Sequence, residues 1–195
     1  MLSRTEKFSP VTLALAKVSP LSIIEMEALE TIVHQKQLPK HTELLKIGQV
    51  SYNMYFVARG LARVYYFRNE IEVTDYFAID QQFIGGVESL FTSQPSRKAI
   101  QLIEDSHIYY FSASDFEACC SRYHAIETAA RKIIIFAFLE GQQRIESIRF
   151  LSAKERYEEL EKKYPGISNR CPLKYLASYL NITQVSLSRI RAGVQ

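Results

Sequence analysis

The sequence lacks a long apolar run and an apolar leader. Its longest unbroken apolar stretch, residues 133–139, is far too short to cross a bilayer. The N-terminus carries charges at Arg4, Glu6 and Lys7 and has no hydrophobic segment of the kind found in signal peptides. With 47% hydrophobic residues, the chain has enough apolar side chains for a packed core. We therefore expect a soluble, cytoplasmic protein.

Cysteine and histidine are scarce and poorly arranged for chemistry. The cysteines, Cys119, Cys120 and Cys171, include an adjacent pair but no Cys-x-x-Cys spacing, so neither a disulfide framework nor a zinc site is indicated. The histidines form no His-x-His pair with a following carboxylate, which an enzyme built on a metal-binding β-roll would need. They are His34, His41, His107 and His124. We therefore expect no enzyme activity, no metal and no cofactor.

Charge is unevenly distributed along the chain. Residues 1–141 carry 14 basic and 16 acidic side chains, net −2, whereas residues 142–195 carry 10 basic and 5 acidic ones, net +5. A solvated charged surface explains part of such an excess. Its position at the C-terminal end favours a polyanionic partner there.

The C-terminal segment, residues 173–192, has the spacing of a helix-turn-helix. Its apolar residues fall at the offsets of two crossing helices, with Ala177 small enough to let the second helix approach. Asn181 lies at the expected turn and is able to take a positive φ, and Thr183 is a suitable N-cap for the second helix. The apolar positions are Leu176, Leu180, Ile182, Leu187 and Ile190.

The solvent face of the predicted second helix is polar and basic. Such side chains donate hydrogen bonds to the phosphates and base edges of double-stranded DNA. We assign DNA binding to this face, although an amphipathic helical hairpin without that role produces similar spacing. The residues assigned are Thr183, Gln184, Ser186, Ser188, Arg189 and Arg191.

The first part of the chain predicts helices followed by a β-roll. A helix is indicated over residues 20–34, with Ser22 and Glu25 as a capping box. Its apolar stripe consists of Ile23, Ile24, Leu29, Ile32 and Val33. Short apolar or alternating runs then follow between turn residues, which predicts an antiparallel sandwich or roll of six or more strands. The runs are residues 44–47, 54–58, 61–67, 73–79, 99–103 and 108–111.

A long helix is predicted over residues 125–150, and it is apolar on two sides. We expect one stripe to cover the strand domain; it consists of Ala129, Ile133, Phe136 and Ala137. The second stripe would stay exposed in a single chain, so we expect it to pair with the same helix of a second copy. Burial of both stripes within one chain is the alternative. The second stripe consists of Ala130, Ile134, Phe138, Gly141, Ile145 and Ile148.

Between the strands, residues 83–99 contain paired glycines and a returning arginine. Gly85 and Gly86 lead into a short helical turn whose backbone amides converge, with Arg97 on the next strand. This combination binds anions, although a tight turn and an unrelated surface arginine are a commoner reason for such residues. We assign an effector site to Gly85, Gly86, Val87, Glu88, Arg97, Lys98 and Ala99.

This order of parts resembles the cyclic-AMP receptor / fumarate-nitrate regulator (Crp/Fnr) family of bacterial transcription factors. The resemblance covers nearly the whole chain and is most specific at Phe83-Ile84-Gly85, Arg97-Lys98-Ala99 and Leu187-Ser188-Arg189-Ile190-Arg191. It implies an α+β fold: an antiparallel β-roll (double-stranded β-helix, jelly-roll-like) flanked by helices, a long dimerisation helix and a C-terminal helix-turn-helix with a reduced or absent wing. The implied domains are residues 1–120, 121–151 and 152–195.

The sequence departs from the family pattern in the effector site. Cyclic-AMP binders have Gly-Glu where this chain has Gly85-Gly86, and that Glu holds the ribose hydroxyl. They have Ser or Thr where this chain has Lys98, so only Gly85, Arg97 and Ala99 carry over. We therefore expect a different anionic effector or an unliganded pocket, and not cyclic AMP.

Two other departures concern the family's remaining parts. A base-reading position that is often Glu is Val185 here, while Arg189 is kept. The oxygen sensors of the family have a cluster of N-terminal cysteines, and this chain has no cysteine before Cys119, so no iron–sulfur cluster is expected.

These features together predict a homodimeric, DNA-binding transcriptional regulator whose β-roll senses a small anionic effector of unknown identity. RNA polymerase is a further partner to be expected of such a regulator, and no membrane partner is expected. The alternative is a ligand-binding or interaction module of the same fold that does not bind DNA sequence-specifically.

Overall fold

An antiparallel β-roll lies at the centre of the structure, a computed structural model that describes residues 7–193. Its strands are β1 (His34–Leu38), β2 (Glu43–Leu45), β3 (Asn53–Arg59), β4 (Leu61–Arg68), β5 (Ile71–Ile79), β6 (Gln82–Gly85), β7 (Ala99–Leu102) and β8 (Ser106–Ser112). The helices are α1 (Pro10–Val18), α2 (Ile23–Glu30), α3 (Val87–Thr92), α4 (Ala113–Arg122), α5 (His124–Phe150), α6 (Ala153–Lys163), α7 (Ile167–Arg170), α8 (Leu173–Leu180) and α9 (Gln184–Arg191).

The roll consists of two four-stranded sheets, ordered β1-β8-β3-β6 and β2-β7-β4-β5, in which all neighbouring strands are antiparallel. Side chains alternate across each strand. In β4, Ala62 and Val64 therefore pack into the interior of the roll, while Leu61 and Arg63 lie on the outer face of the sheet. This outer face is where the C-terminal helices attach.

The expected fold class, a mixed α+β chain with an antiparallel roll, a long helix and C-terminal helices, is confirmed. Each of the six predicted apolar runs overlaps a strand. Two strands had no such signal. β1 reads HQKQL and is mostly exposed at the edge of its sheet, and β6 has four residues that end in Gly85.

The prediction for the N-terminal helix is correct at its start and only partly correct for its buried face. Ser22 and Glu25 form the expected capping box. The helix ends at Glu30, however, and Ile23 and Ile24 are 54% and 68% exposed, because α2 turns Met26 and Leu29 towards the core. The apolar stripe thus identified the helix and its buried Leu29, but it also included two residues that face solvent.

The apolar packing of the long helix α5 is confined to its first turns, while its second half makes polar contacts with α6 and α8. Ile126 and Ala129 are fully buried among residues of α1, α2 and α4, and Ile133 is half-buried. The expected covering stripe does not continue further, since Phe136 and Ala137 are exposed. From Ile134 onwards, the apolar side chains of both stripes of α5 face solvent.

The C-terminal helices α6 to α9 pack against the outer face of the sheet. Phe77 of β5 lies in the same apolar cluster as Tyr164 and Tyr179, with ring centroids 6.0 and 5.3 Å away. Asn181 has the expected left-handed backbone, with φ 54° and ψ 47°, between α8 and α9. Pro172 is the N-cap of α8.

None of the helices between residues 7 and 193 combines the length and the apolar character that a bilayer crossing requires. Over the same residues, no strand follows α9.

Candidate effector corner and nucleic-acid interface

Four residues at one end of the roll, Gly85, Gly86, Arg97 and Lys98, form what we call the corner. Gly85 ends β6 and Gly86 is the N-cap of α3. Both glycines are tightly packed: a Cβ at Gly85 would lie 2.5 Å from Met54 Sδ, and one at Gly86 would lie 2.5 Å from a methyl carbon of Leu45. Any side chain at Gly86 would therefore require its neighbours to move.

Both cations of the corner are held by carboxylates. Arg97 Nη2 lies 2.8 Å from Glu88 Oε1, and Lys98 Nζ lies 2.7 Å from Asp75 Oδ2. The Arg97 side chain is 82% exposed, so it points to solvent and not into the roll. Of the other residues assigned to the site, Val87 is exposed and Ala99 is buried in β7. An incoming anion would have to compete with these two carboxylates.

Tyr76 occupies the interior beside the corner. Its hydroxyl donates to the Gly85 carbonyl at 3.1 Å and accepts from the Gly85 amide at 3.4 Å. Burial raises the pKa of Tyr76 to about 12, so the phenol stays protonated at neutral pH. The amide of Gly85, which the sequence suggested as a donor to an anion, is thus already satisfied.

One buried hydroxyl beside the corner is unsatisfied. Ser51 is 4% exposed, and its Oγ has no hydrogen-bond partner among residues 7–193. It would lie 3.2 Å from a Cβ built on Gly86. Because buried polar atoms are normally paired, this hydroxyl is available to a polar ligand at the corner.

The sequence did not identify Asp75, Tyr76 or Ser51 as parts of this site. Asp75 is the extra residue of a β-bulge, because Val64 pairs with Tyr76 and the next residue of β4 pairs with Thr74. A bulge has no sequence signal of its own in a strand of this composition. The sequence did not show that β4 pairs with both β5 and β7, an arrangement that brings Asp75 within 2.7 Å of Lys98, just before β7.

The face assigned to DNA binding is open to solvent. Thr183 caps α9, since its Oγ1 accepts from the Ser186 amide at 3.0 Å, as expected. The side chains of Gln184, Ser188, Arg189 and Arg191 are exposed. Ser186 differs from them because it is half-buried and its hydroxyl lies 2.9 Å from Thr183 Oγ1. Buried Leu187 holds the opposite face against the C-terminal core.

The strip assigned to dimerisation is largely uncovered in the single chain. Ala130 is half-buried, and the remaining members of the strip, Ile134, Phe138, Gly141, Ile145 and Ile148, are exposed. Phe138 is 62% and Ile134 56% exposed. Apolar side chains of this size rarely form a contiguous solvent-facing surface in a monomer.

Other candidate sites are weaker. Two open clefts lie outside the roll, one of about 670 Å³ between α5 and α6 and one of about 570 Å³ beside α1. In the larger one, Lys163 approaches Glu140 and Arg144 stacks on Tyr179, so these three charges already have partners. Within residues 7–193, no group of three or more acidic, histidine or cysteine side chains is placed to hold a metal ion.

Comparison with known proteins identifies the domain and the fold. Residues 35–123 match the family model described as Cyclic nucleotide-binding domain. FixK2 from Bradyrhizobium japonicum has a similar structure, with 15% identity over 84% of each chain and a TM-score of 0.69. The c-di-GMP responsive global regulator CLP from Xanthomonas campestris has a TM-score of 0.69, with 13% identity over 89% of this chain and 92% of CLP.

A third structure, from Eubacterium rectale, is assigned to transcriptional regulators of the crp/fnr family. It is 15% identical over 89% of this chain and 83% of that chain, with a TM-score of 0.67. A comparison with curated protein sequences gives no match. The resemblance seen in the sequence is thereby confirmed: residues 35–123 match the cyclic nucleotide-binding domain model, and the chain has the fold of the Crp/Fnr transcriptional regulators.

Proposed function

We propose that the chain is a homodimeric, DNA-binding transcriptional regulator whose β-roll responds to a small anionic effector, and we assign it no catalytic role. The observation that carries the proposal is the open polar and basic face of α9 within a helix-turn-helix. Arg189 and Gln184 extend from this face, and Leu187 anchors the opposite one. Asn181 sets the sharp turn that such a motif needs.

The distribution of charge supports a polyanionic partner at this end of the molecule. Residues 142–195 have a net charge of +5, while the rest of the chain has a net charge of −2. Because phosphate contacts supply most of the non-specific affinity for DNA, the basic excess favours docking of the C-terminal helices on the duplex. Base contacts from α9 would then add sequence specificity.

The second half of α5 supports the homodimer. Its exposed apolar strip is long, and the helix projects away from its own roll. Pairing of α5 with its copy would bury Phe138 and Ile145 and place two α9 helices around a two-fold axis. A dimer of this kind reads a roughly palindromic site with half-sites about one helical turn apart.

The corner supports an effector that is anionic but not cyclic AMP. Arg97 and Lys98 supply two cations, and Ser51 supplies a hydroxyl that has no hydrogen-bond partner in the described part of the chain. Gly86 has no side chain to accept from a ribose hydroxyl, and Leu45 leaves no room for one. Lys98 offers donors only, where cyclic-AMP binders have a hydroxyl.

The dimer is tested by replacing Phe138 and Ile145 with Glu. Charges at the centre of an apolar interface cannot be paired there, so we expect sedimentation to show a dimer for the wild type and a folded monomer for the variant. Ile24→Glu on α2 is the control, since Ile24 is 68% exposed but lies outside the strip, and it should remain dimeric. A wild-type monomer at micromolar concentration contradicts the proposal.

The DNA contact is tested with Arg189→Ala. If Arg189 makes a bidentate contact to guanine, specific binding should weaken by ~1–3 kcal/mol in gel shifts at fixed salt, with a smaller loss on random duplex. Arg68→Ala removes an exposed arginine of the roll and should leave both affinities unchanged. Equal losses on both duplexes would make Arg189 a phosphate contact, and no specific binding by the wild type would favour the non-DNA-binding module.

The effector class is tested by calorimetry with cyclic AMP and cyclic GMP. We expect no low-micromolar binding, because a lost buried hydrogen bond to the ribose costs roughly 1–3 kcal/mol. Low-micromolar binding that Arg97→Ala abolishes would show that the corner binds cyclic nucleotides after all.

A further inference from the structure

Three polar contacts join the C-terminal helices to the outer face of the roll, and we call them the latch. Arg63 of β4 contacts Tyr175 of α8, Ser178 of α8 contacts the backbone of β5, and Arg170 of α7 contacts the end of β5 and the segment before β8. The apolar cluster around Phe77 lies between these contacts.

Arg63 is almost completely buried at this junction, with 1% of its side chain exposed. It pairs with Glu72, donates to Gln101 Oε1 at 2.8 and 3.2 Å, and lies between two rings. Its guanidinium carbon is 4.3 Å from the Tyr65 centroid and 3.5 Å from the Tyr175 centroid. Of these partners only Tyr175 belongs to the C-terminal helices. Release of α8 would therefore expose Arg63 without leaving its charge unpaired.

Ser178 covers the open edge of β5. The Thr74 amide donates to Ser178 Oγ at 2.9 Å, and Ser178 Oγ in turn approaches the Glu72 carbonyl at 3.4 Å. β5 is the last strand of its sheet, so these backbone groups have no neighbouring strand to pair with. Water can replace Ser178 when the edge is exposed, which makes this contact reversible too.

Arg170 forms the third contact. It lies 2.7 Å from Asp80 Oδ2, also pairs with Glu104, and donates to the Gly60 carbonyl at 2.8 Å. Burial acts to raise the pKa of Asp80, but hydrogen bonds from Arg170 and from the Gly60 amide lower it overall. Asp80 is thus ionised while docked, and its side chain remains partly exposed to water.

The latch and the corner meet on one short segment of β5. Asp75, the bulged residue, holds Lys98 of the corner at 2.7 Å. Its immediate neighbour Thr74 donates to Ser178 of the latch and also lies 3.4 Å from Arg63 Nη1. The extra residue of a bulge is left out of the ladder pairing that fixes its neighbours, so the Lys98–Asp75 pair is a contact that holds it in place.

From this arrangement we propose that the latch is a reversible switch controlled by the Lys98–Asp75 pair. With the pair intact, the bulge is fixed and the C-terminal helices stay docked on the roll. When an anion binds Lys98 in place of Asp75, the bulge is no longer held by this ion pair. The docking of the C-terminal helices on the roll then weakens. The proposal rests on the proposed effector corner. The coupling between the corner and the C-terminal helices would pass through β5 and not through the long helix α5.

Cys171 is a native reporter of docking. It is 6% exposed in the cluster that joins the helices to the roll, and Arg63 and Glu104 of the roll are its charged neighbours. Burial raises the pKa of its thiol to about 12, so the docked thiol is both protected and protonated. In a Cys119→Ser, Cys120→Ser background, the rate of maleimide labelling measures how often the latch opens.

The experiment needs no knowledge of the effector. Asp75→Asn keeps the shape of the bulge but removes the ion pair, and we expect Cys171 to be labelled about two- to fivefold faster, the scale on which a half-exposed ion pair acts. Lys98→Gln should have the same effect, and the double variant should add little to either, because one pair is removed in all three. Ser178→Ala, which removes a latch contact directly, should also speed labelling.

The control is Glu27→Gln, which removes the half-exposed pair of Lys7 and Glu27 on a helix outside the latch and should not change labelling. Thermal melting of each variant separates local opening from global unfolding. If Ser178→Ala speeds labelling and Asp75→Asn does not, the switch is refuted. Labelling reports docking in the absence of DNA and effector, so loss of the proposed regulatory function would leave this result standing.

Discussion

The packing of Phe77 against Tyr164 and Tyr179 is the contact on which the arrangement of the molecule depends. It unites the outer face of one sheet with helices that follow about 90 residues later, in a single cluster with Leu61 and Leu176. Without this apolar contact, the C-terminal helices would have a core too small to hold their position relative to the roll. The polar contacts of Arg63, Ser178 and Arg170 then fix which way the helices face.

The two cations of the corner are neutralised by neighbouring carboxylates. Each cation near the corner already has a carboxylate partner: Glu88 for Arg97 and Asp75 for Lys98. Exposed and half-exposed pairs of this kind are weak, so an anion of sufficient charge density is able to exchange with them. In the proposed effector corner, an anion that binds would displace these carboxylates, and one of them, Asp75, is adjacent to Thr74, which contacts the C-terminal helices.

The local features of the fold could be predicted from the sequence, since their causes lie within a few residues. Asn181 and Thr183 mark the turn and the cap of the helix-turn-helix because their side chains act on their own backbone. The same holds for the capping box of Ser22. The exposure of Ile23 could not be predicted, because the side of a helix that packs is decided by its distant neighbours.

The candidate site shows the same limit. Gly85, Arg97 and its partner Glu88 were identified from the order of residues, but Tyr76, the partner of Gly85, was not. Arg63 gave a weak signal as a lone charge within an apolar run, yet its contact with Tyr175 crosses more than 100 residues of sequence. Asp75 lies at the site because it is the extra residue of a β-bulge, and a bulge is defined by strand pairing. Such contacts depend on topology, which spacing alone does not encode.

The central claim, that the two-fold related α9 helices of a dimer read DNA, is tested most directly by selection of bound sites from random duplexes. The account predicts enrichment of a roughly palindromic sequence with half-sites about 10 base pairs apart, centre to centre. Recovery of duplexes without any enriched sequence, from a protein shown to be folded and dimeric, would contradict it.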